Sequence, residues 1–263
     1  MQYKTIIFEI RDNIAFIKLN RPDHYNSLNE LMAKELLEIS YECDTNKSVR
    51  CVILTGQGEK AFCSGGDLKS FHEQGDNVSR HLKEVTHFLH GAITRFSRMN
   101  APLIVSVNGV AAGAGLSFVG FADIAVCSEK ASFVSAYSKA GLTPDGSSSY
   151  FLPRIIGSRR YLELVMTNKI LSSEEALKWG LINRIFEHKF LYEKTLEIAV
   201  SLSKGPTLAF GRTKQLVHNT FDSTLEGQME LETEMISKSS DTYDGKEGIK
   251  AFVNKEKPNF FGK

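Results

Sequence analysis

The chain has 263 residues, 42% of them hydrophobic and 24% charged, enough to bury one large core without disulfide or metal staples. Its formal net charge is +1, with Lys and Arg scattered rather than clustered, which gives no support for a nucleic-acid partner. No stretch approaches the ~18 apolar residues of a membrane helix, and Cys43, Cys51, Cys63 and Cys127 form no CxxC pair or metal-ligand spacing, so the expectation is a cytoplasmic protein with buried, reduced thiols.

Residues 3–9 and 14–19 are β-branched and aromatic, and Arg11-Asp12-Asn13 between them predicts a hairpin. Leu28, Met32, Leu36 and Ile39 then recur at helical spacing through residues 29–43. Residues 49–55 read as a short buried strand stopping at Gly56, and the Gly-rich, polar residues 57–78 as a loop. An amphipathic helix over 79–98, with Leu82, Val85, Leu89, Ile93 and Phe96 on one face, is ended by Pro102. Strands are expected at 103–107, 123–127 and 131–134, and the small residues 110–115 are expected to start a helix. Helices are predicted at 158–167, 173–179, 189–203, 206–219 and 222–238. Strands alternating with helices imply an α/β fold with a mostly parallel sheet and right-handed crossovers. A boundary near 200 separates an α/β core, 1–200, from a helical C-terminal region, 201–263.

HExxH, GxSxG and P-loop motifs are absent. His87 and His90 stand at i, i+3 on a helix, but no carboxylate partner is evident, so no metal site is expected and His90 reads as a pocket-lining histidine. Two glycine clusters follow buried strands: Ala61-Phe-Cys-Ser64-Gly-Gly66-Asp67-Leu68-Lys69 and Asn108-Gly109-Val-Ala-Ala-Gly113-Ala114-Gly115-Leu. The carboxyl ends of strands are where open α/β sheets receive ligands, and small side chains there expose backbone N–H groups. Two converging N–H groups make an oxyanion hole; either cluster alone equally suits a close-packed turn. A third stretch, Phe133-Val-Ser-Ala-Tyr137-Ser-Lys-Ala-Gly141-Leu142-Thr-Pro144-Asp145-Gly146, offers Asp145 either as the cap of a helix starting near Gly146 or as a catalytic carboxylate.

Together these stretches resemble the crotonase, or enoyl-CoA hydratase/isomerase, family. The resemblance includes Asn20-Arg-Pro22, Asn26-Ser-Leu-Asn29, Trp179-Gly-Leu-Ile-Asn183 and Glu247-Gly-Ile-Lys-Ala-Phe252. It implies the crotonase-like (ClpP/crotonase) fold of repeated ββα units, with a helical C-terminal part that builds a homotrimer or a dimer of trimers. It implies an acyl-CoA thioester as substrate, with coenzyme A as part of that substrate and no separate cofactor. The oxyanion donors fall on the N–H groups of Gly66 and Ala114, and the CoA-phosphate lysine on Lys69. Phe252 and Lys255 are implied to reach a neighbouring subunit's nucleotide. Ser64, Asp67, Leu68, Ser117, Tyr137 and Leu142 complete the expected substrate contacts.

Family hydratases use two glutamates, and this chain has Ser117 and Tyr137 there, neither of which can act as a carboxylate base. Asp145 in its Pro-Asp-Gly setting resembles enoyl-CoA isomerases, and one carboxylate suffices to move a proton between two carbons. Phe151 and Leu142 are expected to raise the Asp145 pKa toward neutrality. Alternatives are a hydratase, a hydrolase resembling 4-chlorobenzoyl-CoA dehalogenases with Asp145 as nucleophile, and a non-catalytic CoA-thioester binder.

Overall fold

The computed structural model describes residues 3–263. It opens with the expected hairpin, β1 (Ile6–Arg11) and β2 (Ile14–Leu19), paired antiparallel. Asp12 and Asn13 turn it at φ 50° and 63°, the left-handed conformation that two-residue hairpin turns require and Asn/Asp tolerate. Helix α1 (Glu30–Thr45) starts where the Asn29 side chain accepts the Met32 N–H.

Three ββα units follow. In each, the first strand joins one sheet and the second joins another. Strands β3 (Cys51–Gly56) and β4 (Ala61–Cys63) precede α2 (Leu68–His72) and the long α3 (Val78–Arg98). Strands β5 (Leu103–Val107) and β6 (Val110–Ala112) precede α4 (Ala114–Gly120). Strands β7 (Ile124–Ser128) and β8 (Ser132–Val134) precede α5 (Ser148–Ile156) and α6 (Ser158–Thr167). The chain continues through β9 (Leu171–Ser172), α7 (Ser173–Trp179), β10 (Arg184–Phe186) and α8 (Leu191–Ser203) to α9 (Thr207–Asn219), α10 (Leu225–Ser240) and α11 (Tyr243–Asn254). One sheet runs β1-β2-β3-β5-β7-β10, parallel from β2 onward, and the other runs β4-β6-β8-β9. This is the crotonase-like α/β fold that the motifs implied.

Several elements differ from the sequence expectation, among them the short strands β9 and β10, which were not foreseen. Residues 57–78 hold β4 and α2 rather than only loop, and residues 110–112 are a strand before the helix begins. Three- to five-residue elements carry too little periodicity to be separated from loop. Helix α5 was foreseen only as a start near Gly146, without an extent, and α11 was missed: α5 carries Pro153 within it, and α11 contains Gly245 and Gly248, residues that mask a helical pattern. The all-buried strand β5 needs both sheet faces covered. α8 packs on one face with Ile14, Ile53 and Val126; α1 and α3 cover the other with Met32, Leu36, Leu89 and Phe96. No helix among the described residues is long and apolar enough to cross a membrane.

Candidate active site

The two glycine clusters meet. Gly65 has φ +102° and Gly113 φ +51°, regions that side chains with a Cβ avoid. A Cβ on Gly113 would lie 3.2 Å from the Gly65 Cα, so the two loops pack backbone against backbone. Gly66 and Ala114 follow these glycines, and both line one apolar cavity of about 290 Å³. The Gly66 loop is held by Leu28, whose N–H donates to Gly65 O at 2.7 Å and whose carbonyl accepts the Asp67 N–H at 2.8 Å. Among the described residues, the N–H groups of Gly66 and Ala114 donate to no protein acceptor. Two unengaged amides on one cavity wall can hold an oxygen that gathers negative charge.

Asp145 is the one carboxylate lining that cavity among the described residues. Its carboxylate does not cap α5, whose N-terminus has no side-chain cap; instead Oδ1 lies 2.7 Å from His90 Nε2. The carboxylate partner that the sequence did not reveal for His90 is therefore Asp145, 55 residues away. Behind Asp145, Ser117 Oγ donates to its backbone carbonyl at 2.8 Å and the Tyr137 hydroxyl donates to the same oxygen at 3.2 Å. Burial disfavours the Asp145 anion, but the His90 hydrogen bond, the Gly146 N–H and the His90 charge outweigh it and hold the carboxyl below its ordinary range. This corrects the expectation of a pKa raised toward neutrality. Phe151 lies in other hollows, beside α9, and Leu142 alone does not dominate. The hydrogen bond to Asp145 raises the His90 pKa against the effect of burial. Burial pushes the Tyr137 phenol up, keeping it a protonated donor.

The family model described as enoyl-CoA hydratase/isomerase matches residues 9–263. This chain belongs to the enoyl-CoA hydratase/isomerase family. It is 33% identical to the 1,2-epoxyphenylacetyl-CoA isomerase of Escherichia coli, covering 98% of each chain. It is 32% identical to the 4-chlorobenzoyl coenzyme A dehalogenase-2 of Arthrobacter sp, covering 95% of this chain and 91% of that one. An enoyl-CoA hydratase structure from Bacillus anthracis superposes with a TM-score of 0.92 at 29% identity, covering 99% of this chain and all of that one. Family enzymes act on acyl-CoA thioesters.

Within this family enzyme the other expected residues divide. Ser64, Leu68, Tyr137 and Leu142 line the cavity with Gly66, Ala114 and Asp145. Asp67 is turned away: it pairs with Arg21 at 2.8 Å and accepts the Ser70 N–H, so it braces the Gly66 loop. Ser117 is fully buried behind Asp145, and His90 lies outside the acyl cavity. Lys69 is exposed on α2 beside Leu68. Phe252, 86% exposed, and Lys255, at the C-terminus of α11, do not line the cavity of their own chain. Burial pushes all four cysteine thiols up to about 12, which leaves them protonated. Sequence reasoning missed Leu28, Phe71, Ala136 and Ala140 in the cavity wall. Leu28 carried a signal, because it lies within Asn26-Ser-Leu-Asn29, a quoted family stretch. Phe71 carried none.

Proposed function

We propose that this enzyme is an acyl-CoA isomerase that shifts a double bond, or rearranges a ring, through an oxyanion-stabilised enolate. The N–H groups of Gly66 and Ala114 receive the thioester oxygen, and Asp145 removes a proton from one carbon and returns one to another. The carrying observation is that Asp145 lines the same cavity as these two unengaged amides, with no second carboxylate there among the described residues. Two-carboxylate activation of water therefore lacks a member. A depressed pKa makes Asp145 a modest base, but it is fully ionised at neutral pH. The amides supply the remaining driving force by stabilising the enolate. Asp145→Asn is expected to lower the conversion of 3-enoyl-CoA to the conjugated isomer by about 10²–10⁴-fold, followed by absorbance. Full activity in that folded variant would remove the base from the mechanism.

A second reading is favoured by the 2.7 Å contact between His90 and Asp145. An ionised, depressed carboxylate is a competent nucleophile, and His90 could then activate water to hydrolyse the ester it forms. The similarity to a 4-chlorobenzoyl-CoA dehalogenase supports this reading. Chloride release from 4-chlorobenzoyl-CoA without isomerisation of 3-enoyl-CoA would select it.

No separate cofactor enters this reaction. Lys69, exposed on α2 next to the cavity-lining Leu68, is proposed to meet a CoA phosphate. Assembly as a trimer or a dimer of trimers is proposed from the apolar surface of the C-terminal helices, where Leu225, Ile236, Phe252 and Val253 are each at least 70% exposed. In that assembly Phe252 and Lys255 serve a neighbour's nucleotide. The four buried reduced thiols suit a cytoplasmic location.

A further inference from the structure

Asp145 stands between two spaces. On one side it lines the acyl cavity. On the other, its Oδ1 meets His90 Nε2 at 2.7 Å. His90 is absent from the acyl cavity; it lines a surface groove between α1 and α3, with 53% of its side chain exposed. We propose that His90 is a relay between Asp145 and solvent, so that the proton taken from the substrate exchanges with water during turnover instead of passing intact from carbon to carbon. This role rests on the isomerase reading of the same site.

The proton balance runs through the dyad. In the resting pair Asp145 is ionised, and its hydrogen bond favours the protonated form of His90. Abstraction breaks a C–H bond, sends its electrons into the thioester enolate and forms an O–H on Asp145. Asp145 is then neutral, and the hydrogen-bonded charge that raised the His90 pKa is gone. A half-exposed imidazolium without that support returns toward ~6.5 and releases a proton to groove water at neutral pH. The groove favours that release. It holds His87, Arg95 and Arg98 against one carboxylate, Asp44, which Arg95 already engages at 3.3 Å. The proton released is the one on Nε2, which rotation of the half-exposed ring carries from Asp145 to groove water. The resulting Nδ1–H tautomer rotates back, accepts the carboxyl proton at Nε2 and restores the ion pair, and a further rotation exchanges that proton with water. Reverse passage delivers a solvent proton to Asp145 and then to the second carbon. The substrate loses one proton and the product gains one, with no other reactant.

The test follows deuterium placed on the carbon that is deprotonated, with the product read by mass spectrometry early in the reaction in ordinary water. The wild-type enzyme is expected to lose most of the label. His90→Phe and His90→Gln are expected to raise label retention several-fold, and His90→Gln, which still donates a hydrogen bond to Asp145, to keep kcat closer to wild type than His90→Phe does. Complete carry-over of label by the wild type overturns the relay, and so does wild-type label loss in His90→Gln. Histidine ¹⁵N NMR gives a readout that needs no turnover: His90 should titrate above the ordinary histidine value and fall back in Asp145→Asn. An unmoved titration overturns the dyad. A wild type that isomerises no enoyl-CoA sinks the isomerase reading instead, and the titration then judges the dyad by itself.

Discussion

Replacing Gly113 by alanine tests the oxyanion geometry without replacing a side chain of the site. Gly113 sits at φ 51°, ψ −117°, which is outside even the left-handed region that other residues visit, and holding alanine there costs about 1–3 kcal/mol. The new Cβ would also lie 3.2 Å from the Gly65 Cα and 3.8 Å from the Ser135 carbonyl oxygen. Neither neighbour is a flexible side-chain end, so relief requires rotating the peptide that carries the Ala114 N–H. Misaiming one oxyanion donor removes about 3 kcal/mol of transition-state stabilisation, or about 10²-fold in kcat. Gly180→Ala is the control. Its φ is +79°, and a Cβ there meets nothing within 4 Å, so it carries backbone strain at a residue outside the cavity lining. Both variants should lose thermal stability, about 2–4 °C per kcal/mol for a chain of this size. Only Gly113→Ala should lose kcat, with binding of a saturated acyl-CoA changed little by calorimetry. A folded Gly113→Ala enzyme with wild-type kcat, or equal kcat losses in the two variants, refutes the assignment of the Ala114 amide.

The same loop pair depends on Asp67, which joins Arg21 and caps α2. Asp67→Ala is expected to cost about 1–2 kcal/mol in denaturant unfolding and to lower kcat through the Gly66 loop while the Asp145 pKa stays unchanged. The Asp145–His90 pair also sets a pH signature. Asp145, depressed, contributes stability above the ordinary carboxylate pKa and loses it as pH falls through its folded value; His90, raised, contributes below the ordinary histidine pKa and loses it as pH rises through its folded value. The wild type should therefore exceed His90→Gln in melting temperature most clearly between about pH 4 and 6.5, with the gap closing on the alkaline side; a gap independent of pH excludes an ion pair. Ser117→Glu should abolish isomerisation without creating a hydratase, measured on crotonyl-CoA. Position 117 is fully buried, and the Gly146 Cβ position lies 3.1 Å from its Cβ, so a glutamate must displace the Asp145–Gly146 turn.

The parts of this site legible in sequence were those fixed by local backbone. Gly65-Gly66 and Gly113-Ala114 stand at strand ends, and glycine at such positions announces a backbone conformation. Helices α6 and α7 were legible to the residue because their periodicity and the Ser172/Glu175 capping box are local. The His90–Asp145 contact was not legible. It joins α3 to a loop 55 residues later, and the sequence, from which His90 reads as a pocket-lining histidine on a helix, names no partner for it. The Asp145 pKa went wrong for the same reason: apolar neighbours in sequence were weighed without the partner that the fold supplies. Asp67 was misplaced because its carboxylate lies in a conspicuous Gly-rich run, while the arginine that claims it lies 46 residues earlier.

In the proposed reaction, enolate stabilisation and reaction choice sit on different parts of this chain. The amides of Gly66 and Ala114 belong to main chain held by β4, β6 and the Leu28 bridge, so substitutions that preserve the two positive-φ glycines leave them in place. The proton chemistry belongs to side chains arranged around a single carbonyl, that of Asp145, fixed from behind by Ser117 and Tyr137. By the family resemblance these two residues stand where hydratases carry glutamates, and their hydroxyls donate to the Asp145 carbonyl. A hydroxyl donor toward the carbonyl locks the Asp145 turn against the cavity; a carboxylate at 117 would instead compete for the same buried volume and carry its own desolvation cost. A carboxylate at 117 would thus crowd the turn that holds Asp145. On the proposed mechanism, exchanging one reaction for the other is expected to require rebuilding the turn at residues 144–147 together with positions 117 and 137, with the Gly66 and Ala114 amides unchanged.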